Sequence, residues 1–290
     1  MHGLIDTLTA TGTVVTDGAW GTQLQALGLE VGACPDAWNL SEPDKIKQVA
    51  ASYAAAGSDV ILTNTFGCNR FMLGRHGLED KAAKLAAAGV KLSIAAADGR
   101  SKVFASLGPS GVMLMMGDVS HEQVKDGFEQ QARAMADVGA EAIVIETMCD
   151  VVEARLAVEA AKSTGLPVVA CMVFDSGADK DRTMMGNTPE QVATELTNAG
   201  ADVIGSNCGQ GIAGFLPICK RLKAATSCPI WIKGNAGLPE IVDGQTAYKQ
   251  TAEEFAAHIP ELVEAGAAFV GGCCGTSPEF IAAVKKVLSE

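Results

Sequence analysis

The sequence predicts a single-domain (β/α)8 TIM barrel over residues 1–290, and three observations carry that prediction. Short apolar runs alternate with longer, alanine-rich amphipathic segments from one end of the chain to the other. There are eight of each, the number of strand-helix units that closes a parallel barrel in about 250 to 300 residues. Several helical segments also close on a glycine that opens a similar phrase: Gly57-Ser58-Asp59-Val60, Gly139-Ala140-Glu141-Ala142, Gly200-Ala201-Asp202-Val203 and Gly266-Ala267-Ala268-Phe269. Glycine there supplies a left-handed cap before the chain drops into the next strand. No Pro/Ser-rich linker interrupts this echo, so one domain is expected.

In chain order the strand runs are 13–16, 59–63, 103–107, 142–145, 167–174, 202–204, 229–232 and 267–270. They are short and apolar throughout, the pattern of strands covered on both faces. The helical segments between and after them are 42–56, 78–97, 121–138, 151–164, 189–199, 215–225, 252–265 and 278–288. The last opens on Thr276-Ser277-Pro278-Glu279, a hydroxyl N-cap followed by a proline in the first turn.

Composition narrows the class. Charged residues are 19% and hydrophobic residues 48% of the chain, with 32 glycines, as expected of a globular protein. No uncharged apolar run approaches the roughly 18 residues of a membrane span. The N-terminus lacks a basic segment followed by an apolar one, so no secretory signal is read and a cytoplasmic protein is expected. The net charge of -12, without a Lys/Arg cluster, argues against nucleic acid as a partner. Nine cysteines, an odd number spread over a long chain, point to reduced thiols rather than a disulfide framework.

Three of those thiols stand apart. Phe269-Val270-Gly271-Gly272-Cys273-Cys274-Gly275 is an apolar strand whose two glycines are expected to let the backbone leave strand geometry, so that two adjacent thiols can face one centre. Asp202-Val203-Ile204-Gly205-Ser206-Asn207-Cys208-Gly209 has the same form, an apolar strand ending in a thiol and a glycine-rich turn. Isolated buried cysteines usually serve as small hydrophobes. Three at glycine-flanked strand ends instead suggest a three-cysteine zinc site with one position open, the mark of a catalytic rather than a structural site. In a barrel the chemistry sits where strands end. The predicted strand ends carry Asp17-Gly18-Ala19-Trp20, Asn64-Thr65-Phe66, Gly108-Pro109-Ser110, Glu146-Thr147-Met148, Asp175, Asn207-Cys208, Lys233-Gly234-Asn235 and Cys273-Cys274.

These residues resemble the homocysteine S-methyltransferase family, most closely the homocysteine-binding module of cobalamin-dependent methionine synthase. The matching motifs are Asp17-Gly18-Ala19-Trp20-Gly21-Thr22, Cys34-Pro35-Asp36-Ala37-Trp38-Asn39-Leu40, Thr63-Asn64-Thr65-Phe66, Gly108-Pro109-Ser110-Gly111, Glu146-Thr147-Met148, Asn207-Cys208, Asn235-Ala236-Gly237-Leu238-Pro239 and Gly271-Gly272-Cys273-Cys274-Gly275-Thr276. The resemblance implies that Cys208, Cys273 and Cys274 hold Zn2+, whose open position takes the thiol of L-homocysteine. It also implies that Glu146 receives the acceptor's ammonium and that the Gly18-Ala19-Trp20 turn offers N–H groups to its carboxylate. Asp17 is either a cap for that loop or a binding residue. Asn235 is either a fourth zinc ligand in the absence of substrate or a plain turn residue.

The methyl donor is not written in the 290 residues, in which no folate-binding, cobalamin-binding or reactivation segment is read. A separate methyl-corrinoid protein is therefore expected as partner, docking over the thiol-bearing rim. Alternatives are a direct donor such as S-methylmethionine or a betaine, transfer in the reverse sense onto a corrinoid protein, or a zinc-holding regulatory module without turnover. The sequence departs from the family at Lys233-Gly234, where Gln-Pro or a similar pair is usual, and at Gly211-Ile212, where Gly-Pro is usual. Lys233 is expected to pair with a rim acid such as Glu146 or Asp175, or to meet a different substrate. The other cysteines, Cys34, Cys68, Cys149, Cys171, Cys219 and Cys228, fit packing. Met113, Met115 and Met116 fit packing or an apolar wall near the site. His76, His121 and His258 read as solvated or capping residues.

Overall fold

The structure, a computed structural model, describes residues 3–242 and 245–289. Its strands in chain order are β1 (Val14–Val15), β2 (Val60–Ile61), β3 (Lys102–Leu107), β4 (Ala142–Met148), β5 (Val168–Met172), β6 (Val203–Gly211), β7 (Ile230–Asn235), β8 (Glu240–Val242), β9 (Gln245–Ala247) and β10 (Ala267–Gly272). Eight of them form one parallel sheet in the order β1-β10-β7-β6-β5-β4-β3-β2. A parallel bridge between Thr16 and Val60, beside the bond from Asp59 N to Val15 O at 2.7 Å, joins the two end strands and closes the barrel. All eight predicted runs are barrel strands. β8 and β9 are a small antiparallel hairpin in the loop after β7 that sequence periodicity did not foretell.

The repeated glycine phrase has a physical basis. Gly57, Gly139, Gly200 and Gly266 have φ of 96, 101, 101 and 102°, the left-handed conformation that carries the chain out of each helix. The acid two residues after the first three glycines then caps the start of the preceding strand. Asp59 Oδ2 accepts from Val15 N at 2.8 Å, Glu141 Oε2 from Val103 N at 3.0 Å and Asp202 Oδ2 from Val168 N at 2.9 Å. Lys285, Lys102 and Lys162 pair with these acids in turn.

Two expectations about helices are corrected. The segment 252–265 is broken into Ala252–Ala256 and Ile259–Glu264, because Pro260 lacks an N–H and disfavours helical geometry in the residue before it. At the last helix, Pro278–Val287, Ser277 occupies the N-cap but its hydroxyl makes no capping bond; Pro278 does stand in the first turn.

The barrel interior is packed at its lower end by Ile5, Val14, Val60, Phe104, Val144, Val169, Val203, Trp231 and Phe269. Trp231 stacks on Phe269 at 5.1 Å and faces Phe104 at 6.4 Å. Gly205 makes room for it, since a Cβ there would lie 2.3 Å from Trp231 O. Ile5, on the helix Gly3–Thr9, belongs to the same cluster. Above this plug the inward residues turn polar. Lys233 on β7 lies in register with Asn207 on β6 and Gly271 on β10, and this level is the floor of the mouth.

Candidate metal centre and acceptor site

The three thiols meet. The sulfur atoms of Cys208, Cys273 and Cys274 all lie within 4.8 Å of one another, and Cys208 and Cys274 are 3.8 Å apart. Each strand delivers its thiols differently. On β6 the register slips between Asn207 and Gly211, where Cys208 takes φ 61° and Gly209 φ 78°. Left-handed geometry in a non-glycine residue costs about 1–2 kcal/mol, and here it turns the Cys208 side chain toward the other two sulfurs. On β10, Gly271 and Gly272 do not break the strand, contrary to the sequence expectation. A Cβ at 271 would lie 2.0 Å from Thr16 Oγ1 and one at 272 would lie 2.3 Å from Thr276 Oγ1, so these glycines permit close approach. The strand stops at Gly272 and the left-handed turn falls on Gly275, φ 81°. Cys273 N donates to Gly234 O at 2.7 Å and Ala236 N to Cys274 O at 3.0 Å, fastening the thiol pair to the end of β7.

The electrostatics follow from the crowding of three sulfurs. Hydrogen bonds from the Cys273 and Cys274 thiols hold Cys208 far below the usual thiol range, at about 3. The same contacts push Cys273 well up and Cys274 to about 11, since each would have to ionise beside a thiolate. Three sulfurs this close cannot all be charged unless a cation sits among them. Asn235 lies beside Cys208 with its amide N–H directed at that sulfur, and its buried Oδ1 has no partner. Three soft sulfurs this close make a donor set that could hold a metal ion. Tyr248, which the sequence reading missed because it lies in a loop without periodicity, presents its hydroxyl to Cys274. Its ring packs on Gly275, where any Cβ would meet it at 2.2 Å.

The rest of the mouth is charged and tightly bonded. Lys233 is 2% exposed and reaches Asp17 Oδ1 at 2.5 Å; Asp17, 0% exposed, also accepts from Leu62 N at 2.7 Å and Trp20 Nε1 at 2.9 Å. The partner of Lys233 is therefore Asp17, buried just past the end of β1, rather than Glu146 or Asp175. Burial alone would push the lysine down, but the Asp17 and Glu146 carboxylates outweigh it and leave it raised. Glu146 is partly buried, bonded to Ser106 Oγ at 2.5 Å and to Asn207 Nδ2 at 3.4 Å. Burial raises it, against the pull of Lys233. In the first turn, Ala19 N–H is taken by Thr276 Oγ1 at 3.1 Å, while Gly18 and Trp20 N–H have no hydrogen-bond partner among the described residues.

Residues placed elsewhere clarify the boundary of the site. Asp36 is buried, accepting from Gly67 N at 3.1 Å and Cys68 Sγ at 3.3 Å, so the segment around Cys34 supports the loop after β2. Met113, Met115 and Met116 are 64–72% exposed instead of packed. With Met184, Met185, Cys149 and Glu153 they form an apolar methionine shelf around a cavity of about 230 Å³; of the three, Met113 and Met115 line it directly.

A parallel barrel with its polar residues and three thiols gathered at the C-terminal mouth has the architecture of a (β/α)8-barrel enzyme. Comparison with known proteins makes this specific. The chain belongs to the homocysteine S-methyltransferase family, whose profile it matches over residues 14–288. It is 29% identical over 287 residues to methionine synthase of Mycobacterium tuberculosis and 30% identical over 297 residues to that of Mycobacterium leprae. These alignments take in 92% and 96% of this chain but only 24% of either relative, so the chain spans about a quarter of their length. Its fold is similar to the metallated form of the homocysteine methyltransferase MmuM from Escherichia coli, with TM-score 0.79 and 22% identity over 94% of this chain and 96% of that one. The carboxyl transferase domain of Rhizobium etli pyruvate carboxylase is a more distant likeness, with TM-score 0.56 and 16% identity over 98% of this chain and 49% of that one. No described helix is long and apolar enough to cross a membrane.

Proposed function

We propose that the chain is a zinc-dependent S-methyltransferase that methylates L-homocysteine to methionine with a methyl group brought by a separate methyl-corrinoid protein. The observation that carries this reading is the convergence of Cys208, Cys273 and Cys274 within 4.8 Å beside the partly buried carboxylate of Glu146. Zinc, when bound, supplies the positive charge that keeps an acceptor thiol deprotonated near neutral pH, where a free thiol with pKa near 8.5 is mostly protonated. The three cysteines offset that charge, so the acceptor sulfur stays electron-rich enough to attack a methyl group.

The chain's own residues place the acceptor. Glu146 receives the ammonium, and the unpartnered N–H groups of Gly18 and Trp20 face the carboxylate. Asp17 already has a partner on each oxygen, so its part is to hold Lys233 and the Trp20 ring in place. Asp17 and Lys233 are bound to one another, which leaves the Glu146 carboxyl as the group to meet the ammonium. Asn235, whose Oδ1 has no partner, would supply an oxygen at the fourth position once its amide turns toward the cage. The corrinoid donor follows from the resemblance drawn from the sequence.

Purified protein is incubated with zinc, homocysteine and methylcobalamin and assayed for methionine, with a parallel arm in which S-methylmethionine replaces the corrinoid. Methionine in the first arm, lost in Cys273→Ala, is the expected result. Methionine only in the second arm assigns a direct donor, and turnover surviving in Cys273→Ala refutes the metal chemistry.

A further inference from the structure

We propose that Asn207 is a positioning residue that couples recognition of the acceptor's amine at Glu146 to the geometry of the sulfur cage. The inference rests on the reading of Glu146 and the three cysteines given above. Asn207 is buried on β6, and its carboxamide reaches across the barrel, past β5, to the end of β4. The backbone N–H of Thr147 donates to Asn207 Oδ1 at 2.7 Å, which fixes the orientation of the amide. The opposite side, Nδ2, then faces Thr147 Oγ1 at 2.8 Å, Glu146 Oε2 at 3.4 Å and Cys273 Sγ at 3.8 Å. One amide therefore touches both the carboxylate proposed for the amine and a sulfur of the cage.

The backbone shows why this matters. Thr147 and Cys208 are both left-handed, with φ of 63 and 61°, and each falls where its strand slips register with β5 or β7. Asn207 precedes the strained cysteine and bonds the strained threonine, so it ties two irregularities on non-adjacent strands into one unit. Moving Glu146 to meet an ammonium then pulls on the amide that donates to Cys273. Partners of this outer kind, bonded to a metal ligand, typically change metal affinity 10- to 100-fold when lost. Residues sharing one network also give non-additive mutational effects.

Asn207→Asp tests this without a change of size, since it keeps the acceptor for Thr147 N–H but puts an oxygen where the donor to Glu146 and Cys273 stood. Asn207→Ala is the second variant, and the melting temperature of each reports whether the barrel is intact. Zinc affinity is read by chelator competition. Zinc-loaded protein is then titrated with homocysteine and with 4-mercaptobutyrate, which lacks the amine, in wild type, Asn207→Asp, Glu146→Gln and the double variant. We expect zinc affinity to fall about 10- to 100-fold in Asn207→Asp. The preference for homocysteine should collapse in either single variant, with little further loss in the double. A variant with wild-type zinc affinity and preference, or losses that simply multiply, overturns the coupling through Asn207. A wild-type protein that binds zinc but does not favour the amine-bearing thiol overturns the homocysteine reading, and the coupling with it.

Discussion

Asp17→Asn should be the most damaging conservative change in the barrel interior, and the cost can be worked from contacts. Lys233 Nζ has Asp17 as its ion-pair partner at 2.5 Å, with side chains 2% and 0% exposed. Asn at this position can still accept from Leu62 N or Trp20 Nε1, but it offers the ammonium no charge. Breaking a buried pair from one side costs about 3–5 kcal/mol, and the nearby Glu146 carboxylate places this case at about 3. For 290 residues the unfolding entropy is roughly 0.6 kcal/mol/K, so the melting temperature should fall by about 5 °C. Lys233→Met should cost less, because Asp17 keeps two N–H donors. The double variant should recover part of the loss. The pH dependence has a definite sign. Lys233 is raised in the folded chain, so its pairing contributes fully below the unfolded value of about 10.4 and is lost as pH rises through the folded one. The gap between wild type and Asp17→Asn should therefore narrow in strong alkali. Thermal unfolding at pH 7 and at stepped pH values above 10.5 reads all of this. An Asp17→Asn protein as stable as wild type, or a larger loss in Lys233→Met, refutes the account of the pair.

Two further outcomes follow from the site. With Cys208 held near 3 and Cys273 and Cys274 raised, the metal-free protein at pH 7 carries about one thiolate, so zinc binding should release about two protons. Calorimetry in buffers of different ionisation enthalpy counts them, and release of none or of three contradicts this charge state. Glu146→Gln should raise KM for homocysteine about 10- to 100-fold, the loss of a charge-assisted hydrogen bond of about 1.5–3 kcal/mol, with a much smaller effect on 4-mercaptobutyrate. Equal effects on both acceptors show that Glu146 does not meet the amine.

The barrel was legible in the sequence because its signals are local. The eight apolar runs and the glycine at four helix exits are set by period and by φ, and Gly57, Gly139, Gly200 and Gly266 adopt the left-handed conformation expected of them. The thiol trio was legible because Cys208 and Cys273-Cys274 stand at strand ends that a barrel brings to one rim. What was not legible depends on distance across the barrel. Lys233 pairs with Asp17, 216 residues away, because the closed barrel brings the ends of β1 and β7 to one mouth, and no short-range pattern carries that fact. The role of Gly271 and Gly272 was misjudged for the same reason. The limiting contacts are Thr16 and Thr276, the first of them from the far end of the chain. Tyr248 reaches Cys274 from an irregular loop, and Pro260 divides a helix whose amphipathic pattern runs on through it.

The chemistry assigned to this chain is tested most directly by X-ray absorption at the zinc edge on purified protein, before and after homocysteine is added. The account predicts about one zinc per chain with three sulfur neighbours at about 2.3 Å and one lighter atom, replaced by a fourth sulfur on addition of the thiol. A shell of nitrogen and oxygen that homocysteine leaves unchanged, or protein that holds no zinc in its presence, contradicts it.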